Sequence, residues 1–201
     1  MENQQETEGR VLSAATDEFH EKGFHGARMQ EIARRAGLNQ SLLHYYYRTK
    51  DRLFEAVFHR AAKQVMAPVL ETLDGDAPVM EKAARFVHKY VDQVLAHPHL
   101  PGFVVEELRR NPDRLRQFMG RQTDGLYARL SAQIEAAVAA GEIRPIEPAH
   151  FLANLVALCA FPVVARPMVQ TITEMSDSDY LTFLNQRKEA VVRFITDALV
   201  P

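Results

Sequence analysis

Gln40, Ser41, His44, Tyr45 and Arg48 lie close together and offer amide, hydroxyl, imidazole, phenol and guanidinium groups with no acid among them. Such side chains donate to and accept from base edges, which is the chemistry of a helix lying in a DNA major groove. Thr49 and Lys50 follow directly. A cation in the first turn of a helix opposes the macrodipole, at a cost of roughly a few tenths of a kcal/mol. An arriving phosphate would meet both the free amides of the helix start and the ammonium. Thr49 and Lys50 are therefore read as phosphate contacts.

The elements that must hold these groups are legible around them. Residues 29–53 read as two short helices joined by a tight turn, with a third helix starting at once. Ile32, Ala33 and Ala36 give the first helix one apolar face, and Ala33 lets a crossing helix approach closely. Gly37 supplies the freedom that a short turn needs. Asn39 caps the second helix, whose Leu42, Leu43 and Tyr46 turn inward at helical spacing. Successive side chains diverge by about 100° per step, so Tyr45, Tyr46 and Tyr47 cannot all be core. Tyr46 is assigned inward and Tyr47 toward the next helix, which leaves His44 and Tyr45 for DNA. The unit is a helix-turn-helix. An amphipathic helix carrying Val11, Leu12, Ala15 and Phe19 precedes it.

This order of elements resembles the N-terminal DNA-binding domain of the TetR family of transcriptional repressors. The matching residues are Gly23-Phe24, Ile32-Ala33, Ala36-Gly37-Leu38, Leu43, Tyr46-Tyr47, Lys50 and Leu53-Phe54. Arg28 stands where the family usually places a Ser or Thr that caps the second helix and touches phosphate. His44 and Tyr45 stand where Tyr and His are common, and Arg48 replaces a frequent Pro. The expected DNA contacts are Arg28, Met29, Asn39, Gln40, Ser41, His44, Tyr45, Arg48, Thr49 and Lys50. The resemblance further implies a homodimer on a palindromic double-stranded operator, a C-terminal ligand-binding domain and release by a small apolar or aromatic effector. It also implies that the last two long helices pair with their copies in a four-helix bundle, with Leu158, Leu184, Val191 and Ile195 at the interface. Periodicity alone allows those helices to be intrachain core equally well.

Composition fits an all-α protein with a DNA-binding head. The 201 residues suffice for a small domain and a medium one, read as 1–52 and 53–201. Hydrophobic residues make up 47% of the chain, enough for a core. The net charge of −2 hides an uneven distribution: residues 1–21 carry −5, residues 22–63 carry +6 and residues 64–201 carry −3. Positive charge thus concentrates on the helix-turn-helix, as phosphate binding requires. No apolar run is long enough to span a membrane, no signal-peptide pattern opens the chain, and the single Cys159 fits a reducing cytoplasm.

Everything after residue 49 reads helical. Pro68 should kink or end the helix from Thr49, and Asp74-Gly75-Asp76 breaks the chain. A helix follows from Pro78 to about Leu95, then a turn over 97–101 and a short helix from Phe103 to Arg110. One long helix is expected from Leu115 to Val138, with Gly141 as its left-handed C-cap. Another starts at Glu147-Pro148 and is distorted by Pro162 and Pro167. Ser176 and Asp179 cap the last.

Aromatic and sulfur side chains near helix-breaking prolines, with Leu155 beside them, mark the candidate effector pocket: Phe86, Tyr90, Phe103, Phe118, Met119 and Phe151. The same stripe serves equally as plain core. His97 and His99 flank a proline with no third ligand at helical spacing, so no metal site is assigned, and no cofactor is implied. No Gly-rich phosphate loop, HExxH, CxxC or Ser-His-acid arrangement is present, so catalysis is not expected. The leading expectation is a ligand-responsive repressor. A helical small-molecule binder with an unused DNA-binding head is the alternative, and a helical-bundle enzyme is a third class.

Overall fold

A computed structural model describes residues 4–98 and 100–201, apart from the side chains of Gln4, Leu100, Phe103, Leu108, Arg114, Leu115, Phe118, Arg121 and Gln122. Among the described residues every regular element is helical. In chain order they are α1 (Gln4–Gly26), α2 (Met29–Arg35), α3 (Gln40–Tyr46), α4 (Lys50–Leu70) ending in a 3-10 turn (Glu71–Leu73), α5 (Val79–Ala96), α6 (Leu100–Arg110), α7 (Pro112–Gln122), α8 (Leu126–Ala139), α9 (Pro148–Val164), α10 (Arg166–Thr173) and α11 (Asp177–Leu199). Two compact units divide after Lys63. The first turns of α4 belong to the first unit because Phe54 meets Phe19 and Phe24 edge-on, at 5.0 and 5.3 Å between centroids.

In the first unit, α1 is broken at Gly23, whose φ of 64° turns the chain so that Phe24 can enter the core. Val11, Ala15 and Phe19 are buried with Ile32, Ala33, Leu43, Phe54 and Phe58. Gly37, at φ 69°, closes α2: its N–H donates to Arg34 O at 3.2 Å and that of Leu38 to Ala33 O at 2.9 Å. This Schellman arrangement satisfies two carbonyls that the helix end would leave open.

The second unit packs Phe86 and Val87 of α5, Leu130 and Ile134 of α8, Phe151 and Leu155 of α9, and Val191 and Ile195 of α11 into one core. A smaller cluster joins Val94, Tyr180 and Leu184. Gly141 takes φ 73° after α8, and Ser176 and Asp179 form a reciprocal capping box on α11.

The structure corrects four local readings. The long helix expected from Leu115 is two, α7 and α8, because Gly125 adopts φ 65° between them. The turn expected over 97–101 is shorter, since α6 already starts at Leu100; His99 lies outside the described residues. Pro167 does not merely distort a helix: it sits in the first turn of α10, bent 75° from α9. Leu42 is 36% exposed, so Leu43 anchors α3. No single helix among the described residues is long and apolar enough to cross a membrane.

Candidate nucleic-acid interface

An acid missed by the sequence reading organises the helix-turn-helix. Glu18 is fully buried on the apolar face of α1. Its Oε1 accepts from Lys22 Nζ at 2.8 Å and from the Arg28 backbone N–H at 3.4 Å, and Arg35 lies 3.3 Å from Oε2. Arg35 also makes a two-pronged pair with Glu21 at 2.9 and 2.6 Å, which pins α2 to α1. The signal was present: an acid among the inward positions 11, 12, 15 and 19 needs a partner.

Arg28 is the N-cap of α2 and makes no side-chain cap bond. Its backbone N–H goes to Glu18 instead, and its side chain is exposed. Met29 is half-buried beside it. The Glu31 carboxylate accepts from Arg34 Nε at 3.0 Å, and that hydrogen bond lowers its pKa to about 2.

On α3, Asn39 Oδ1 accepts from the Leu42 N–H at 2.7 Å, so this side chain holds the helix start. Gln40, Ser41 and His44 are exposed. Gln40 Nε2 and His44 Nε2 are 3.4 Å apart, one helical turn aligned along one face. Tyr45 is 79% exposed, and Tyr46 packs beneath it, edge-on at 5.7 Å. Tyr47 turns back, its hydroxyl donating to Glu8 Oε1 at 3.2 Å; burial raises its pKa. Thr49 Oγ1 accepts from the Arg52 N–H at 3.2 Å and so caps α4. Arg48 is exposed in the link between α3 and α4. A shallow concavity of about 620 Å3 at this link is lined by Tyr45, Tyr46, Arg48, Thr49 and Arg52.

Lys50 is engaged within its own unit. Its ammonium donates to Ala27 O at 3.0 Å and His25 O at 3.2 Å and lies 4.6 Å from the centre of the Phe24 ring. The charge is turned toward the end of α1 and not outward.

The candidate effector residues separate. Phe86, Phe151 and Leu155 are buried in the second unit's core, and Tyr90 stacks on Phe86 at 6.0 Å, its hydroxyl pKa pushed up to about 12 by burial. Met119 is half-buried on α7. The side chains of Phe103 and Phe118 lie outside the described residues.

The expected interface residues differ in burial. Leu184, Val191 and Ile195 are buried at 5%, 1% and 7% against their own chain, because α11 packs this stripe onto α5 and α9. Leu158 is half-buried. The exposed apolar side chains of these helices are others: Phe161 at 53%, Val164, Leu181 and Phe194 at 61%.

His97 is exposed, and among the described residues no three His, Cys, Asp or Glu side chains are placed to share a metal. Cys159 is free and buried.

Comparison with known proteins bears on both units. A family model described as bacterial regulatory proteins, tetR family, matches residues 11–57. A second, the tetracyclin repressor-like C-terminal domain, matches residues 80–195. The HTH-type transcriptional regulator RutR of Escherichia coli (strain K12) is 27% identical over 191 residues, which cover 95% of this chain and 89% of the relative. Among solved structures, the transcriptional regulator SCO4942 from Streptomyces coelicolor superposes with a TM-score of 0.70 at 19% identity, covering 95% of this chain and 97% of that one. FadR from Bacillus subtilis, solved in complex with stearoyl-CoA, gives 0.65 at 20% identity, covering 92% and 97%. The acid-free face of α3, its supports on α1 and α4 and the two family models agree: this DNA-binding transcriptional regulator, which is not an enzyme, belongs to the TetR family.

Proposed function

We propose that the chain is a ligand-responsive repressor that reads a palindromic operator as a homodimer. The observation that carries this reading is the exposed face of α3, where Gln40, Ser41, His44 and the 79% exposed Tyr45 stand without an acid inside the segment of charge +6. Arg28, Met29, Arg48 and Thr49 flank that face and serve the phosphates; Asn39 contributes by holding the start of α3.

The dimer reading is supported by the uncovered apolar side chains Phe161, Val164 and Phe194. Phe161 and Phe194 border a groove of about 520 Å3 between α9 and α11, lined also by Leu155, Leu158 and Ile195. Contiguous apolar surface of this kind marks an interaction site. A single recognition helix reads too few base pairs, and two copies of one unit read half-sites related by the same two-fold symmetry.

An apolar effector, received among Phe86, Tyr90, Phe103, Phe118, Met119, Phe151 and Leu155, is supported by the acyl ligand of FadR and by the aromatic content of this unit. Such a ligand shifts DNA binding only as far as it prefers one conformation, and operator DNA must weaken its binding by the same factor.

Fluorescence anisotropy on a labelled fragment from the gene's own upstream region tests the reading. The unaltered protein should retain this fragment over random DNA at two salt concentrations. Tyr45→Ala should cut affinity for the fragment more than for random DNA, by roughly 1–3 kcal/mol of discrimination. An unchanged specificity ratio would move the reading face elsewhere. A complete lack of retention would favour a small-molecule binder with an unused head.

A further inference from the structure

We propose that Lys50 is a positioning residue for the recognition helix, and that Arg48 supplies the phosphate-neutralising charge at this end of the reading unit. The inference rests on the DNA-binding reading above. Lys50 opens α4, where the helix dipole disfavours a cation, yet its Nζ is held 3.0 Å from Ala27 O and 3.2 Å from His25 O. Both carbonyls belong to the closing turn of α1 and its link to α2, where helix carbonyls lack partners and a cation is favoured. The Phe24 ring lies 4.6 Å away and adds its negative face. Two of the three ammonium donors are therefore engaged within the protein.

The consequence is geometric. Phe24 also stacks with Phe19 at 6.1 Å and meets Phe54 edge-on at 5.3 Å, so Lys50 ties the start of α4 to the aromatic centre of the unit. Only Tyr47, Arg48 and Thr49 separate Lys50 from the end of α3. Fixing Lys50 thus fixes the far end of the helix that presents Tyr45. Arg48 is placed differently. It is exposed in that link, and among the described residues no acid or carbonyl engages its guanidinium, whereas Arg52 nearby pairs with Glu55 at 3.3 Å.

Salt dependence separates the two roles, because each phosphate neutralised contributes about 0.9 to the slope of log affinity against log salt. The full-length protein is titrated onto the labelled upstream fragment and onto random DNA over a salt series. Lys50→Met should leave the slope unchanged, lower affinity for the fragment about tenfold and narrow its margin over random DNA, as loss of charged hydrogen bonds that aim the helix predicts. Arg48→Gln should make the slope shallower by about two, one phosphate for each copy of the dimer, and weaken both DNAs alike. A slope shallower by about two in Lys50→Met, or an unchanged slope in Arg48→Gln, overturns the proposal. Circular dichroism reports whether Lys50→Met keeps its helices; if it does not, the Arg48→Gln slope decides alone. Failure of the unaltered protein to retain any DNA would refute the regulator reading itself, a result distinct from any variant's slope.

Discussion

At the scale of single residues, the outward side of α3 is well legible in the sequence and its supports are poorly so. Gln40, Ser41, His44 and Tyr45 were legible because a short helix anchored by Leu43 leaves few other directions for them. The contacts of Lys50 were not legible, because the macrodipole argument considers one helix and the carbonyls that receive its ammonium come from residues 25 and 27. Glu18 went unnoticed because its partners, Lys22, Arg35 and the Arg28 N–H, are assembled only by the turn at Gly23 and the crossing of α2. Cys159 is 4% exposed, its pKa pushed up to about 12 by burial. Thiolate is the reactive form. Ellman's reagent at pH 8 should therefore leave the folded protein unmodified over the time in which guanidinium-unfolded protein reacts fully; rapid labelling of the native chain would show that this part of the core opens.

Among elements, the capped ends were readable and the breaks within apolar stretches were not. Asn39, Ser176 and Gly141 announce helix ends through their own chemistry, and each stands where it was expected. Gly125 separates α7 from α8 inside a pattern whose apolar spacing runs on across the gap; the Asp124-Gly125 pair was the available signal. The proline near the end of α9 shows how a break is tolerated. Pro162 has no N–H to give Leu158 O, and Arg187 Nη2 on α11 donates to that carbonyl at 2.8 Å. The Pro162 carbonyl lies where α9 is about to end, and the Tyr180 hydroxyl, also on α11, donates to it at 2.9 Å. Tyr180 is 1% exposed, so Tyr180→Phe keeps the ring and leaves a buried acceptor unpaired. Such a loss costs about 1–3 kcal/mol. At about 2–4 °C per kcal/mol for a chain of this size, the thermal midpoint should fall measurably. A midpoint unchanged within a degree would mean that water replaces the hydroxyl.

For the whole molecule, the question is which side of α11 faces its own chain and which is left uncovered. A wide apolar stripe serves both, so spacing could not divide Leu184, Val191 and Ile195 from Leu181 and Phe194. The division comes from packing: α5 and α9 take the first three residues, and the last two are left in solvent. Charge placed on either set should therefore have opposite consequences. Leu184→Asp puts an unpaired carboxylate into a cluster with Val94 and Tyr180, and a buried unpaired charge should unfold the second unit or lower its midpoint sharply. Phe161→Glu together with Phe194→Glu alters side chains that are 53% and 61% exposed, so the helical signal and thermal midpoint should stay near those of the unaltered protein. If the groove between α9 and α11 is where two copies meet, that double variant should elute as a monomer in size-exclusion chromatography. It should also lose operator affinity much more than random-DNA affinity, since each copy then binds one half-site alone. Retention of the unaltered protein's elution volume by a folded double variant would place the self-association surface on other helices.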